Sequence, residues 1–388
     1  MTDSIFDRRI MARALQLARQ GRYSAMPNPH VGCVLVRDGQ IIGEGFTQPA
    51  GGNHAEVEAL QAAGDARGAT AYVTLEPCSH HGKTGPCADA LLAAGVVRVV
   101  AAMQDPNPQV AGSGLARLRA AGVEVTCGLL EAEAEAIIPG FVARMRRGRG
   151  RVRAKLAMSL DGRTAMASGE SQWITGAPAR HDVQRLRAMS CAVLTGVGTV
   201  LSDDCALTVR LAELGLPTAE AARASARQPL RVVLDSRQQS PLSARVFSAE
   251  APTLWCYAAS QAPVVPAPTP SAELLPLAHT EFGLDLQALF AELNRRQCNE
   301  ILVESGPRLA GVLLQLGLLD ELIVYMAPTL MGSTARPLLE LPLGEMANKV
   351  PLVLRDVRKI GEDWRFTAVP QAATKTQDTT CSQESFRQ

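Results

Sequence analysis

Any fold of this chain has to accommodate one chemical pattern: His54-Ala55-Glu56, then Pro77-Cys78, then Cys87. One imidazole and two thiolates supply three of zinc's four tetrahedral ligands and leave the fourth place to water, whereas a purely structural site normally takes four protein ligands. Zinc lowers the pKa of such a water toward neutrality, so hydroxide is available at pH 7. A carboxylate two residues past the histidine, itself not a ligand, is placed to move protons, and that role goes to Glu56. The pattern asks a helix start at His54, a strand end before Cys78 and a second helix start at Cys87 to meet.

Local periodicity agrees with that demand. Residues 7–20 carry apolar side chains at Ile10, Met11, Ala14, Leu15, Leu17 and Ala18, a helical spacing ended by Gly21. Residues 31–36 and 40–46 read as strands joined by a hairpin turn at Arg37-Asp38-Gly39. Residues 54–63, 87–94 and 114–121 read as helices, and 71–75, 96–103 and 123–126 as strands. This alternation predicts an α/β fold with a mostly parallel sheet. A second α/β pattern begins at Ala154, with strands expected at 154–158, 192–195, 230–234, 253–257, 300–304 and 321–327.

At 388 residues the chain is too long for one ordinary domain. The expected division is 1–147 and 148–370, followed by a polar tail, 371–388, that lacks periodicity and is expected to be disordered. The basic, glycine-broken stretch 144–153 reads as a solvated linker, 258–271 as a surface insertion, and 212–227 and 258–280 as spacer-like.

Composition narrows the class. The charged fraction is 20% and 39 Lys+Arg balance 38 Asp+Glu, so the chain as a whole offers no field for a polyanion. No apolar run approaches the roughly 20 residues that span a bilayer, and the first residues lack the pattern of an export signal. Nine scattered cysteines, an odd number, predict a reduced, cytoplasmic setting, with Cys127, Cys191, Cys256 and Cys298 as small buried hydrophobes. The expected partner is a small-molecule substrate, with no nucleic acid and no membrane.

The His-x-Glu and Pro-Cys pattern resembles that of zinc-dependent nucleobase deaminases. It departs in one respect: eight residues separate Cys78 from Cys87, where two are usual. With that longer loop, Asn28-Pro29-His30-Val31-Gly32-Cys33, His54-Ala55-Glu56, the run from Thr74 to Cys87, Asp105-Pro106-Asn107-Pro108 and Gly112-Ser113-Gly114 resemble the deaminase half of the bifunctional riboflavin-biosynthesis deaminase/reductase family. The resemblance implies a cytidine-deaminase-like domain in which His54, Cys78 and Cys87 hold zinc and Glu56 is the proton donor. His80 and His81 stay open between lining the substrate pocket, capping the loop and supplying a fourth ligand.

The second half lacks a Gly-x-Gly-x-x-Gly fingerprint. Gly196-Val197-Gly198 after one strand, taken alone, reads as turn chemistry, and Gly306-Pro307-Arg308-Leu309 after another is a plausible anion site at a helix start. The runs from Lys155 to Arg163, Ser168 to Ile174, Gly198 to Asp204 and Leu207 to Arg210 resemble the reductase half of the same family. That likeness implies a dihydrofolate-reductase-like domain and NADPH. Carried over residue by residue, Ala157, Trp173, Thr199, Asp203, Ser236 and the turn Gly306, Pro307, Arg308, Leu309, Ala310, Gly311 and Val312 contact the cofactor. Ser171, Arg187, Leu207, Arg210 and Glu304 contact the substrate, and Arg187 and Arg210 offer planar donor forks suited to a sugar phosphate. Alone, Trp173 reads as a core aromatic, Asp203-Asp204 as a loop pair or helix cap, and Ser236 as a strand-to-turn ending.

The family implies a homo-oligomer and two activities: removal of an amine from a diaminopyrimidinone ribosylamine phosphate, then reduction of its ribosyl chain. The alternative from the zinc site and the arginines is a polynucleotide base deaminase of the tRNA type with an accessory domain. Against it stands the 4% aromatic content, low for base stacking. A degenerate, non-enzymatic binding protein is expected to have lost Glu56 or a ligand, and all four groups are present.

Overall fold

The computed structural model of the chain describes residues 4–80, 85–108, 110–260 and 267–371. The expected tail falls outside the described residues except at Gln371, and the expected insertion at 258–271 falls partly outside them. No helix among the described residues is long and apolar enough to cross a membrane.

The first half runs α1 (Ile5–Ala18), β1 (Gly32–Arg37), β2 (Gln40–Phe46), α2 (Ala55–Ala63), β3 (Thr70–Val73), α3 (Cys87–Ala93), β4 (Arg98–Ala101), α4 (Ser113–Ala120), β5 (Glu124–Cys127), α5 (Glu131–Ile137) and α6 (Pro139–Arg147). The stripe that predicts the first helix is the stripe it buries, and Ser4 caps its start by accepting from the Asp7 amide at 2.9 Å. The five strands form one sheet in the order β2-β1-β3-β4-β5. It is not mostly parallel: β1 is antiparallel to both β2 and β3, while β3, β4 and β5 run parallel. The cause is local, because Asp38 and Gly39, both at positive φ, reverse the chain in two residues. Cys127 is exposed at the end of edge strand β5, contrary to expectation, whereas Cys191, Cys256 and Cys298 are buried.

The second half runs β6 (Arg151–Ser159), β7 (Arg163–Ala165), α7 (Ala177–Ala188), β8 (Ala192–Gly196), α8 (Val197–Asp203), α9 (Thr218–Ser225), β9 (Leu230–Leu234), β10 (Thr253–Ala258), β11 (Ala272–Leu277), β12 (His279–Thr280), β13 (Gly283–Leu284), α10 (Leu286–Arg295), β14 (Glu300–Glu304), α11 (Pro307–Gln315), β15 (Glu321–Ala327), β16 (Arg336–Pro337), β17 (Leu352–Ile360) and β18 (Asp363–Pro370). Nine strands form the main sheet in the order β11-β10-β9-β8-β14-β6-β15-β18-β17. Strands β11 through β15 in that order are parallel, and the terminal hairpin is antiparallel. All six strands expected here are present. The stretches read as spacer-like hold α9 and β11, the latter held by parallel pairing to β10 despite its proline.

The arginines at 144–153 are not a solvated linker. They end α6 and begin β6, and acidic residues from α5, from β14 and from the start of β15 meet them. Asp320 accepts from Arg147 at 2.8 Å, from Arg149 at 2.7 and 3.1 Å and from the Val152 amide at 2.8 Å. Arg151 pairs with Glu321, Arg153 with Glu300 at 3.1 Å, and Arg146 with Glu135. Asp320→Ala leaves these donors without their acceptor and is expected to lower stability by about 2 kcal/mol in urea unfolding. Burial raises the Asp320 pKa, but hydrogen bonds from Arg149, Arg147 and the Val152 amide bring it below the ordinary value. The difference between wild type and variant is therefore full at neutral pH and shrinks as pH falls through that lowered value.

Candidate active sites

In the first half, His54 is the N-cap of α2, Cys78 follows the end of β3 and Cys87 opens α3. Ligands at 2.0–2.3 Å from a tetrahedral zinc stand about 3.6 Å apart. His54 Nδ1 lies 3.2 Å from Cys87 Sγ and 3.7 Å from Cys78 Sγ, and the three donor atoms lie within 4.8 Å of one another. The donor set and its spacing fit zinc. His80 is not part of this group, and His81 lies outside the described residues.

Glu56, in the first turn of α2, is buried and is not a member of the group. Burial, followed by the charge of Cys78, pushes its pKa up to about 7. Hydrogen bonding from Cys87 and then from His54 holds the Cys78 thiol below its ordinary value, and the same contact with Cys78 raises His54.

Glu76 was given no role by the sequence reading, yet it organises the floor of this site. Its carboxylate accepts from the amides of Asp105 (3.0 Å), Gly112 (2.9 Å), Gly114 (2.8 Å) and Leu115 (3.3 Å). This draws the loop before α4 onto the strand end that carries Cys78. Glycine is required at 114, because a Cβ there would stand 1.9 Å from the Pro77 carbonyl oxygen. The available signal was a carboxylate between Leu75 and Pro77 at the end of an apolar strand.

In the second half, β9, β8, β14 and β6 are neighbours, so their carboxyl ends form one edge, where ligands of open α/β sheets bind. Ala157 lies near the end of β6, Thr199 and Asp203 on α8, Ser236 just after β9, and Glu304 and Gly306 at the β14–α11 junction. Gly306 is open to solvent, with nothing within 4 Å of where a Cβ would stand, and Thr195 Oγ1 at the end of β8 is buried without a partner. An open glycine before a helix start and an orphaned hydroxyl at this edge fit a phosphate-bearing cofactor.

Three expectations change in detail, and the helix-cap reading of Asp203-Asp204 is met. Ala310 and Gly311 face inward, and Gly311 packs against the Glu340 carbonyl, 2.1 Å from where a Cβ would stand. Arg187 is no free phosphate fork: Nε and Nη2 donate to Glu304 at 2.5 and 2.9 Å, and Nη1 donates to the Thr208 carbonyl at 3.1 Å. Trp173 is not a core aromatic. It is 68% exposed, with the Arg180 guanidinium 4.5 Å from its ring centroid, and it lies with Ser171 on the stretch before α7. Asp203 ends α8 and Asp204 is its left-handed C-cap.

Lys155 pairs in register with Glu304 across β6 and β14. Burial lowers its pKa, opposed by Glu304. Burial alone would raise Glu304, but Arg187 and then Lys155 bring it below its ordinary value. Arg210 gives Nη2 to Glu213 at 2.6 Å, while its Nε is buried without a partner. Leu207 is buried at positive φ on the same loop.

Comparison with known proteins decides the family. Residues 4–103 match the cytidine and deoxycytidylate deaminase zinc-binding region, and residues 151–366 match the RibD C-terminal domain. The chain is 54% identical over 360 residues to the riboflavin biosynthesis protein RibD of Escherichia coli, covering 92% of this chain and 97% of that one. This chain belongs to the RibD family. Among solved structures, RibD of Acinetobacter baumannii is 44% identical with a TM-score of 0.86, covering 95% of this chain and 99% of that one. A Thermotoga maritima protein, described as a diaminohydroxyphosphoribosylaminopyrimidine deaminase and 5-amino-6-(5-phosphoribosylamino)uracil reductase, is 33% identical with a TM-score of 0.82 and covers 94% and 99%. Family membership favours the bifunctional reading over the tRNA-type alternative, whose arginines are engaged by acidic partners or, for Arg144, by Asn299.

Glu76→Ala is expected to leave four amides without their acceptor and to destabilise the protein by about 3 kcal/mol. Hydrogen exchange at the amides of Asp105, Gly112, Gly114 and Leu115 should quicken before that of the sheet. Unchanged protection at those four positions would refute the clamp.

Proposed function

We propose that this chain carries out two successive steps of riboflavin synthesis. The first is zinc-dependent hydrolytic deamination of a diaminopyrimidinone ribosylamine 5′-phosphate. The second is NADPH-dependent reduction of the ribosyl chain, giving 5-amino-6-(5-phosphoribitylamino)uracil. The observation that carries the reading is the convergence of His54, Cys78 and Cys87 beside buried Glu56 in a chain of this family.

Zinc held by those three residues supplies activation of the attacking water. Glu56 accepts the proton that water loses and passes it to the exocyclic nitrogen, which leaves as ammonia while oxygen takes its place. In the second half NADPH supplies the hydride. Ala157, Trp173, Thr199, Asp203, Ser236 and the α11 opening, Gly306 to Leu309 with Val312, hold the cofactor. Ser171, Leu207, Arg210 and Glu304 hold the substrate, with Arg187 fixing the Glu304 carboxylate. The deaminase domain is 1–147 and the reductase domain 148–370, divided at the turn between α6 and β6. By family analogy the protein is a cytoplasmic homo-oligomer, a state that light scattering reads directly.

A coupled assay on zinc-loaded protein, following ammonia release and NADPH oxidation separately, tests both halves. Glu56→Gln is expected to keep its zinc and lose about a thousandfold in deamination rate; near-normal turnover would sink the proton-transfer role. Arg210→Ala is expected to impair reduction about a hundredfold with deamination intact. Loss of both activities would refute separate sites.

A further inference from the structure

We infer that Tyr23, a residue of the deaminase half, is a positioning residue for the substrate loop of the reductase half, residues 207–210. The inference rests on the reading above that this loop binds substrate. Tyr23 is buried in an apolar cluster whose other buried members all belong to the other half: Ala188, Val209, Leu214, Ala221 and Ala224. Val209 lies between Leu207 and Arg210, and Ala188 directly follows Arg187.

The loop is held on two sides. Polar contacts fix its backbone: Val209 donates to Gln228 Oε1 at 2.7 Å and accepts from Gln228 Nε2 at 3.0 Å, and the Arg210 amide donates to Gln184 Oε1 at 3.0 Å. Thr208 is held through its carbonyl by Arg187. On the apolar side Val209 shares a buried cluster with Tyr23, whereas Leu207 packs in a separate cluster with Val183 and Leu186. Leu207 adopts positive φ, a conformation a non-glycine residue keeps only where its surroundings hold it there. Removing the ring loosens the loop at Val209, between Leu207 and Arg210.

Tyr23 is itself fixed, because its turn is anchored in the reductase half at three further points. Arg22 donates to Glu220 of α9 at 2.6 Å, with its guanidinium 4.8 Å from the Tyr23 ring centroid. Met26 is buried in the core of the second half, 3.3 Å from Cys191 Sγ. The Pro27 carbonyl accepts from Asn299 Nδ2 at 2.7 Å, and Asn299 Oδ1 accepts from Arg144 at 2.6 Å. Beyond Pro27 the chain continues into β1, where buried Cys33 lies within the field of Glu56. One turn thus touches the reductase substrate loop and leads into the deaminase site.

The test is steady-state kinetics of the full-length, zinc-loaded protein, using the deaminated ribosylaminouracil phosphate as reductase substrate. Tyr23→Ala is expected to raise the KM for that substrate about tenfold, with kcat, the KM for NADPH and zinc content within about twofold of wild type. Tyr23→Phe, which keeps the ring, restores the wild-type KM, and Tyr23→Leu falls between. An unchanged substrate KM in Tyr23→Ala overturns the inference. So does an equal rise in the KM for NADPH, loss of zinc, or a Tyr23→Phe protein as impaired as the alanine variant. Arg210→Ala in the same assay separates the two readings. If it raises the substrate KM and Tyr23→Ala does not, only the positioning role falls. If neither does, the assignment of the loop to substrate falls with it.

Discussion

Three donor atoms from three separate segments stand within 4.8 Å of one another, and the first half of the molecule is arranged around that requirement. A helix start, a strand end and a second helix start each present one ligand at the same corner of the sheet. Glu56 lies two residues past His54 in the first turn of α2, so the helix that offers the imidazole also delivers the carboxylate. Four backbone donors on Glu76 hold the neighbouring loop against the strand end beneath Cys78.

In the second half the governing problem is charge taken out of water. A buried ion costs several kcal/mol unless paired, roughly the scale of a domain's whole stability. Arg187 and Glu304 answer each other with two hydrogen bonds, and Lys155 stands beside the same carboxylate. The helix that carries Arg187 is fixed in turn by Asp182, which accepts from Arg185 at 3.0 Å, Tyr325 Oη at 2.6 Å and Arg365 at 2.8 Å. The antiparallel hairpin at the end of the chain thus supports the crevice from behind.

Much of this was legible in order along the chain. Periodicity located α1 and the central strands, because an amphipathic helix and a buried strand write their burial into neighbouring residues. The cluster of His54, Cys78 and Cys87 was legible because few chemistries use His, Glu and two Cys at such spacing. Less legible were β11 and α9, whose compositions resemble loops and which become elements through a neighbour already in place. The arginines of 144–153 misled for the same reason: their partners, Glu300, Asp320 and Glu321, are supplied by strands that arrive much later in sequence.

The residue types at His54, Glu56, Cys78 and Cys87, and the strand-to-helix junction at Gly306, are properties of the chain itself, since a ligand or a glycine keeps its chemistry wherever it is placed. Whether a given polar group is free for function is a different matter. Arg187 and Arg210 look alike as sequence, yet one has its donors engaged by Glu304 and Thr208 while the other keeps a buried Nε without a partner. Tyr23 is an ordinary aromatic until the second half closes over it. Hydrogen-bond saturation and burial depend on what packs against a residue, and that is settled only when distant segments meet.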